Sequence, residues 1–117
     1  MTRFSWLAVV ALAVLASGGA LAQAAAPTGD PGKGSQKVAM CQGCHGILGW
    51  RTAYPEVYKV PKIAGQHAAY IEAALKEYRA GNRSHPSMKA IAASLTDADI
   101  ADIAAYYAQS PLQAVLK

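Results

Sequence analysis

The clearest hydrophobic pattern lies near the C-terminal end of the chain. Apolar side chains recur there at helical spacing, at Ile100, Ile103, Ala104 and Tyr107. This spacing predicts a helix with one buried face. Thr96 followed by Asp99 resembles a capping box, with Asp in place of the usual Glu, and predicts where the helix begins. Pro111 is expected to end it because proline cannot continue a helix.

A second helix is predicted from Gln66 to Ala80. Its apolar stripe consists of Ile71, Ala74, Leu75 and Tyr78. Gly81 is the expected end, because glycine readily adopts the left-handed conformation that closes many helices. Residues 82–87 are predicted to form a loop, and a short helix is expected from Met88 to Ser94.

The N-terminal part of the folded region predicts one more helix and a long connection. Asp30 suits the N-cap position and Pro31 the first helical turn, and the helix is expected to continue to about Cys44. Residues 46–65 contain two prolines and several glycines, which predicts an irregular connection of a length that is normally functional. No segment shows the alternation of a strand, so the predicted fold class is all-α.

The first 22 residues have the pattern of an export signal. A short positive start is followed by an unbroken apolar run from Trp6 to Ala16 and by the small residues of a cleavage site ending at Ala22. The run is short for a membrane span. The predicted organisation is a signal peptide over 1–22, a loose leader over 23–29 and one domain over 30–117, located in the periplasm. An uncleaved signal that anchors the domain to the membrane is the alternative.

Composition adds two constraints to this picture. Only 8% of residues are aromatic, so a domain of about 95 residues has few large side chains with which to build a core, and a bound prosthetic group would supply the missing interior. The net charge of +4 comes from 11 basic and 7 acidic residues spread along the chain. No block of like charge is present, so a nucleic-acid-binding arm is not expected.

The segment Cys41-Gln42-Gly43-Cys44-His45 carries the most specific chemistry. At helical spacing both thiols and the imidazole share one face, which suits two thioether bonds to a haem edge and an imidazole nitrogen on the iron. The segment matches the c-type haem attachment motif. Three other interpretations of the segment are a thioredoxin-like pair, which lacks a βαβ context, a zinc site using His67 and His85, and a plain disulfide between Cys41 and Cys44.

Attachment through His45 leaves the opposite side of the iron without a ligand. The candidate ligands in the sequence are Met88, His85, His67 and Met40. His85 and Met88 share a proline-containing loop far enough from His45 to return over the other haem face. Met40 precedes Cys41 on the same helix and is expected to be a core residue, and His67 is expected to lie at the surface.

From about Asp30 to Gln109 the chain resembles the small bacterial class I cytochromes c. The resemblance rests on the attachment motif, on His85-Pro86-Ser87-Met88, on the final helix, and on Pro61-Lys62-Ile63-Ala64-Gly65. It implies that Met88 is the second iron ligand and that the Pro61 carbonyl accepts the Nδ1 proton of His45. It also implies a close crossing of the first and last helices, where Gly34 meets Tyr106 or Tyr107. The chain has one attachment motif, so it resembles one half of the related di-haem cytochromes.

The expected function is therefore one-electron transfer in the periplasm through a single covalent haem c, without enzymatic activity. A lysine-bearing face is expected to steer acidic redox partners, and the protein is expected to be monomeric and to meet membranes only through partners. The six lysines considered for that face are Lys33, Lys37, Lys59, Lys62, Lys76 and Lys89. Two alternative functions are a haem subunit of a membrane-associated dehydrogenase or oxidase, and an open-site haem sensor or peroxidase-like protein.

Overall fold

The computed structural model describes residues 28–53 and 57–110, which contain five helices. Several predictions concern other parts of the chain. The signal peptide over 1–22, most of the leader over 23–29 and the stop at Pro111 lie outside the described residues.

The first two helices are α1, Pro31–Lys37, and α2, Ala39–His45. The prediction of one continuous helix is wrong at Val38, whose φ of −85° and ψ of 0° interrupt the helical geometry. Its carbonyl accepts from both Cys41 N and Gln42 N at 2.9 Å, so the chain passes through a tighter turn there. Val38 is 1% exposed, and the break occurs at a side chain that the core holds in place.

The next two helices are α3, Ala68–Ala80, and α4, Pro86–Ala93. Gly81 ends α3 with φ of 86°, as predicted. α4 begins at Pro86 and not at Met88, because Pro86 occupies the first turn and the His85 side chain accepts a hydrogen bond from Met88 N. Proline lacks an N–H and loses nothing in the first turn, so the helix starts two residues earlier than expected.

The last helix, α5, runs over Asp97–Gln109 and has the predicted capping box. Asp99 N donates to Thr96 Oγ1 at 3.1 Å, and Thr96 N donates to Asp99 Oδ2 at 2.9 Å. The predicted stripe is confirmed as well, since each of its side chains is at most 1% exposed: Ile100, Ile103, Ala104 and Tyr107. Apolar burial therefore fixes the orientation of α5 toward the core.

α1 and α5 cross at backbone contact distance. A Cβ added at Gly34 would lie 2.1 Å from the Asp102 carbonyl oxygen and 2.8 Å from Tyr106 Cβ. The predicted crossing of Gly34 with an aromatic residue of the last helix is confirmed, and the aromatic is Tyr106. Gly29, just before α1, meets Ala101 in the same way, because its Cβ would lie 2.1 Å from that carbonyl oxygen. Only glycine permits such an approach.

A charged network links the same two helices. Lys37 Nζ lies 2.7 Å from Asp99 Oδ1 and 2.8 Å from Asp102 Oδ2, and Asp30 N donates to Asp102 Oδ1 at 2.8 Å. Hydrogen bonds from Lys37 hold the pKa of both carboxyl groups below the ordinary range, and the same pairing raises the pKa of Lys37. The start of the domain is thereby tied to its last helix by charge as well as by packing.

The core lies between α5 and the helices that pack on it. α5 contacts α1 and α3, and α3 contacts α4. The described residues of the connection, 46–53 and 57–65, are irregular as predicted, apart from an isolated antiparallel bridge between Arg51 and Lys59. Its end is fixed to α5 by a hydrogen bond from Gly65 N to Tyr107 O at 2.8 Å. Within the described residues the fold is all-α, and no helix there is long and apolar enough to cross a membrane.

Candidate functional site

Helix α2 presents the two thiols and the imidazole of the attachment motif. Cys41 is buried, and Cys44 and His45 are half-buried. Both cysteines are free thiols, so the disulfide considered as an alternative is absent from the structure. Because these residues stand at positions i, i+3 and i+4 of one short helix, their side chains lie on a common face.

Of these three side chains, Cys41 is the one that packs in the hydrophobic core. Burial raises the pKa of its thiol, which disfavours the thiolate and makes the sulfur behave as part of the core. The Tyr107 hydroxyl interacts with this thiol but has no hydrogen-bond partner of normal geometry among the described residues. The Tyr107 hydroxyl is therefore a buried polar group to which the described residues offer no hydrogen bond.

His45 is oriented by the connection. Its Nδ1 lies 2.6 Å from the carbonyl oxygen of Pro61, and the ring nitrogen donates to that oxygen. This bond places the proton on Nδ1 and leaves Nε2 as the nitrogen with a free lone pair. Histidines that bind metal commonly donate their second ring nitrogen to a main-chain carbonyl in this way. The structure thus brings together His45 and Pro61, two residues that the sequence places 16 positions apart.

Met88 lies in the first turn of α4. Its side chain is half-buried and packs against the core cluster that also contains Cys41. The backbone N–H of Met88 donates to His85 Nδ1 at 3.3 Å, so the imidazole of His85 is engaged in capping α4. The Met88 thioether therefore packs against the same apolar cluster as Cys41 of α2.

The other candidate ligands occupy different surroundings. Met40 is 49% exposed, contrary to the expectation of a core residue, because consecutive residues of a helix point in different directions and only Cys41 of this pair points into the core. His67 is exposed and forms the N-cap of α3. Among residues 28–53 and 57–110, no group of three or more His, Cys, Asp or Glu side chains could hold a metal ion.

The surface next to the motif is unusually apolar. Leu48 is 64% exposed and Trp50 is 42% exposed, although both follow the attachment helix directly. A covalently attached porphyrin requires two free thiols, an oriented imidazole and an apolar surface. The site provides these groups, and Met88 adds a thioether. The residues present therefore fit haem c.

The six lysines considered for a docking face do not behave alike. Lys37 is half-buried in its ion pairs with Asp99 and Asp102, and Lys76 lies 3.6 Å from Glu72 one helical turn away. The remaining four are exposed: Lys33, Lys59, Lys62 and Lys89. Lys37 and Lys76 thus have carboxylate partners within the chain, although Lys76 is exposed like the other four.

One contact near the site was not anticipated. The Tyr58 ring of the connection packs against the His85 ring in a tilted arrangement, with centroids 4.7 Å apart and an interplanar angle of 54°. The proline at position 86 was a usable signal for a helix start at that residue, and hence for His85 as its cap. Nothing in the sequence indicated that Tyr58 would reach it.

Comparison with known proteins identifies a family. The family described as Cytochrome c matches residues 30–110. Cytochrome c-554(548) of Halomonas halodenitrificans is 43% identical over 82 residues, which are 68% of this chain and 94% of that protein.

Two larger relatives match through part of their length. Cytochrome c4 of Thiocapsa roseopersicina is 41% identical over 91 residues, and cytochrome c4 of Pseudomonas aeruginosa is 36% identical over 84 residues. The matches cover 76% and 72% of this chain but 45% and 40% of those proteins. The chain therefore spans less than half the length of the cytochromes c4 that it resembles.

Proposed function

The chain belongs to the cytochrome c family, and we propose that it is a periplasmic electron carrier whose haem iron is bound by His45 and Met88. Family membership makes it an electron-transfer haem protein with covalently bound haem c. The observation that carries the proposed ligation is the 2.6 Å contact between His45 Nδ1 and the Pro61 carbonyl oxygen, because it prepares Nε2 for iron.

In this proposal each site residue has a separate task. Cys41 and Cys44 hold the haem through thioether bonds, and the Pro61 carbonyl fixes the plane of the His45 ring. Met88 supplies a soft sulfur, which favours ferrous iron and raises the reduction potential relative to a second histidine. Haem c supplies the ability to exchange one electron.

Binding of the iron by both His45 and Met88 would leave it no position for a substrate, which favours a carrier over an enzyme. The protein accordingly acts on redox partners and not on a small molecule. We include in the proposal that the exposed lysines attract acidic partners, supported by the accessible positive charge of Lys33, Lys59, Lys62 and Lys89. Such contacts give weak and fast complexes.

Location in the periplasm, as a monomer, is also part of the proposal. The export pattern of residues 1–22 supports the location. Fractionation of cells together with N-terminal sequencing of the exported protein tests it. A mature chain that begins at Gln23 in the soluble periplasmic fraction is expected, and a membrane-bound chain that retains Met1 would favour an anchored subunit of a larger complex.

Carbon monoxide binding tests the ligation. The reduced wild-type protein is expected to bind carbon monoxide slowly and incompletely, because Met88 occupies the iron, and Met88→Ala is expected to bind it rapidly and stoichiometrically. Met40→Ala is the matched control, since Met40 is a solvent-exposed thioether, and it should behave as wild type. Rapid stoichiometric binding by the wild type would replace the carrier with an open-site haem protein.

A further inference from the structure

The connection folds back on itself beside α4. Arg51 and Lys59 form an antiparallel bridge, Thr52 N donates to Tyr58 O at 3.0 Å, and Tyr58 N donates to Thr52 Oγ1 at 3.1 Å. Side chains of neighbouring residues in extended backbone point to opposite faces. The two cations Arg51 and Lys59, which are exposed, therefore occupy one face of this hairpin, and Tyr58 occupies the other.

The face that carries Tyr58 meets His85. The two rings are tilted by 54° with centroids 4.7 Å apart, a separation and angle typical of attractive aromatic pairs. His85 is half-buried, and the tyrosine ring restricts the rotation of its imidazole. The hairpin thereby reaches across the surface to the residue immediately before α4.

His85 in turn holds the backbone of Met88. It is in extended conformation, with φ of −166° and ψ of 114°, and its Nδ1 accepts from Met88 N at 3.3 Å. Side-chain capping of this kind satisfies an N–H that the first helical turn would otherwise leave unpaired. Because the capped amide belongs to Met88 itself, the orientation of the His85 ring acts directly on the residue that carries the thioether.

From this chain of contacts we propose that Tyr58 is a positioning residue for Met88, acting through His85. Tyr58 keeps the imidazole in the capping orientation, and the cap keeps the first turn of α4 formed. If the first turn opened more often, Met88 would hold its sulfur in the ligand position for less of the time. The inference rests on the proposed ligation of iron by Met88.

The test uses the full-length, exported holoprotein and ferric haem. Tyr58→Ala removes the ring, Tyr58→Phe keeps it, and Val57→Ala changes an exposed neighbour in the same loop as the matched control. The probe is imidazole, which must displace Met88 to bind the iron. We expect Tyr58→Ala to bind imidazole about fivefold more tightly, the factor that corresponds to the loss of one helix cap. Tyr58→Phe and Val57→Ala should match wild type within about twofold.

A second measurement reports on the cap itself. Hydrogen exchange of the Met88 amide, followed by NMR, is expected to accelerate about fivefold in Tyr58→Ala and to stay unchanged in Tyr58→Phe. In a His85→Ala background, Tyr58→Ala should add no further change to either quantity, because its effect passes through His85. Tyr58→Leu, which retains apolar bulk without a ring, replaces Tyr58→Ala if that variant does not yield folded holoprotein.

The outcomes separate this inference from the proposed function. Wild-type protein that lacks the weak far-red absorption band of methionine-ligated ferric haem would overturn the ligation by Met88 and the positioning role with it. A wild type that shows the band, together with unchanged imidazole affinity in Tyr58→Ala, would overturn the positioning role alone. Equal effects of Tyr58→Ala in the wild-type and His85→Ala backgrounds would also overturn it.

Discussion

The crossing of α1 and α5 and the connection over residues 46–65 are built in different ways. The crossing uses backbone contact at Gly34 and an ion-paired network around Lys37. The connection uses main-chain hydrogen bonds and leaves large apolar side chains such as Leu48 and Val57 exposed. The crossing therefore stabilises the fold, whereas the connection orients the site residue His45 through the Pro61 carbonyl.

Gly34→Ala should break the crossing and give the largest effect. The new Cβ would lie 2.1 Å from the Asp102 carbonyl oxygen, and a backbone atom cannot move aside as a flexible side chain can. We expect the free energy of unfolding to fall by about 3 kcal/mol, measured by urea denaturation of the holoprotein.

The control is Gly43→Ala, whose Cβ would have no neighbour within 4 Å. A helical Gly-to-Ala change in open space is expected to alter stability by no more than about 1 kcal/mol, toward stabilisation. Equal losses in the two variants would show that helix geometry, and not the crossing, is responsible.

Lys37→Met should weaken the crossing in a way that depends on pH. Lys37 lowers the folded-state pKa of Asp99 and Asp102, so both carboxylates contribute stability above their unfolded pKa of about 3.9. That contribution disappears as pH falls through the lower folded-state pKa values. Urea denaturation at pH 7 and at pH 3 should therefore show a smaller loss on acidification in Lys37→Met than in wild type.

Lys59→Met is the matched control from the connection, since Lys59 is an exposed lysine. Its acid dependence should follow that of wild type. If Lys37→Met showed the full wild-type loss between the two pH values, the ion-paired network would not be the source of acid sensitivity.

Val57→Ser changes the connection instead of the crossing and should give the smallest effect. Val57 is 68% exposed, so its replacement removes little buried apolar area, and the free energy of unfolding should change by no more than about 0.5 kcal/mol. Thermal denaturation of the holoprotein measures this. A decrease of about 2 kcal/mol or more in the free energy of unfolding would mean that the connection does stabilise the fold.

The parts of the fold that follow from short-range rules could be predicted from the sequence. Thr96 and Asp99 are three residues apart and cap the same helix, and Gly81 ends α3 through its own backbone preference. The haem attachment motif is equally local, because its three residues lie within five positions. In each of these cases the partners that decide the structure are neighbours along the chain.

The parts that depend on distant partners could not be predicted. The interruption at Val38 follows from how α1 and α2 pack on the core, and the pairing of Lys37 with Asp102 joins residues 65 positions apart. His85 as a cap is unusual, since Ser, Thr, Asp and Asn are the common residues there. The contact of Pro61 with His45 was expected only because of the resemblance to the family.

The acceptor that orients His45 belongs to the main chain, and this has a consequence for mutational robustness. Replacing the side chain at position 61 leaves a carbonyl in place, so no single substitution deletes the acceptor. The contact is lost only when the path of the backbone shifts. Whether a substitution at position 61 is tolerated thus depends on the backbone conformations that the new residue allows. The pyrrolidine ring of Pro61 restricts the backbone both at residue 61 and at the preceding Val60.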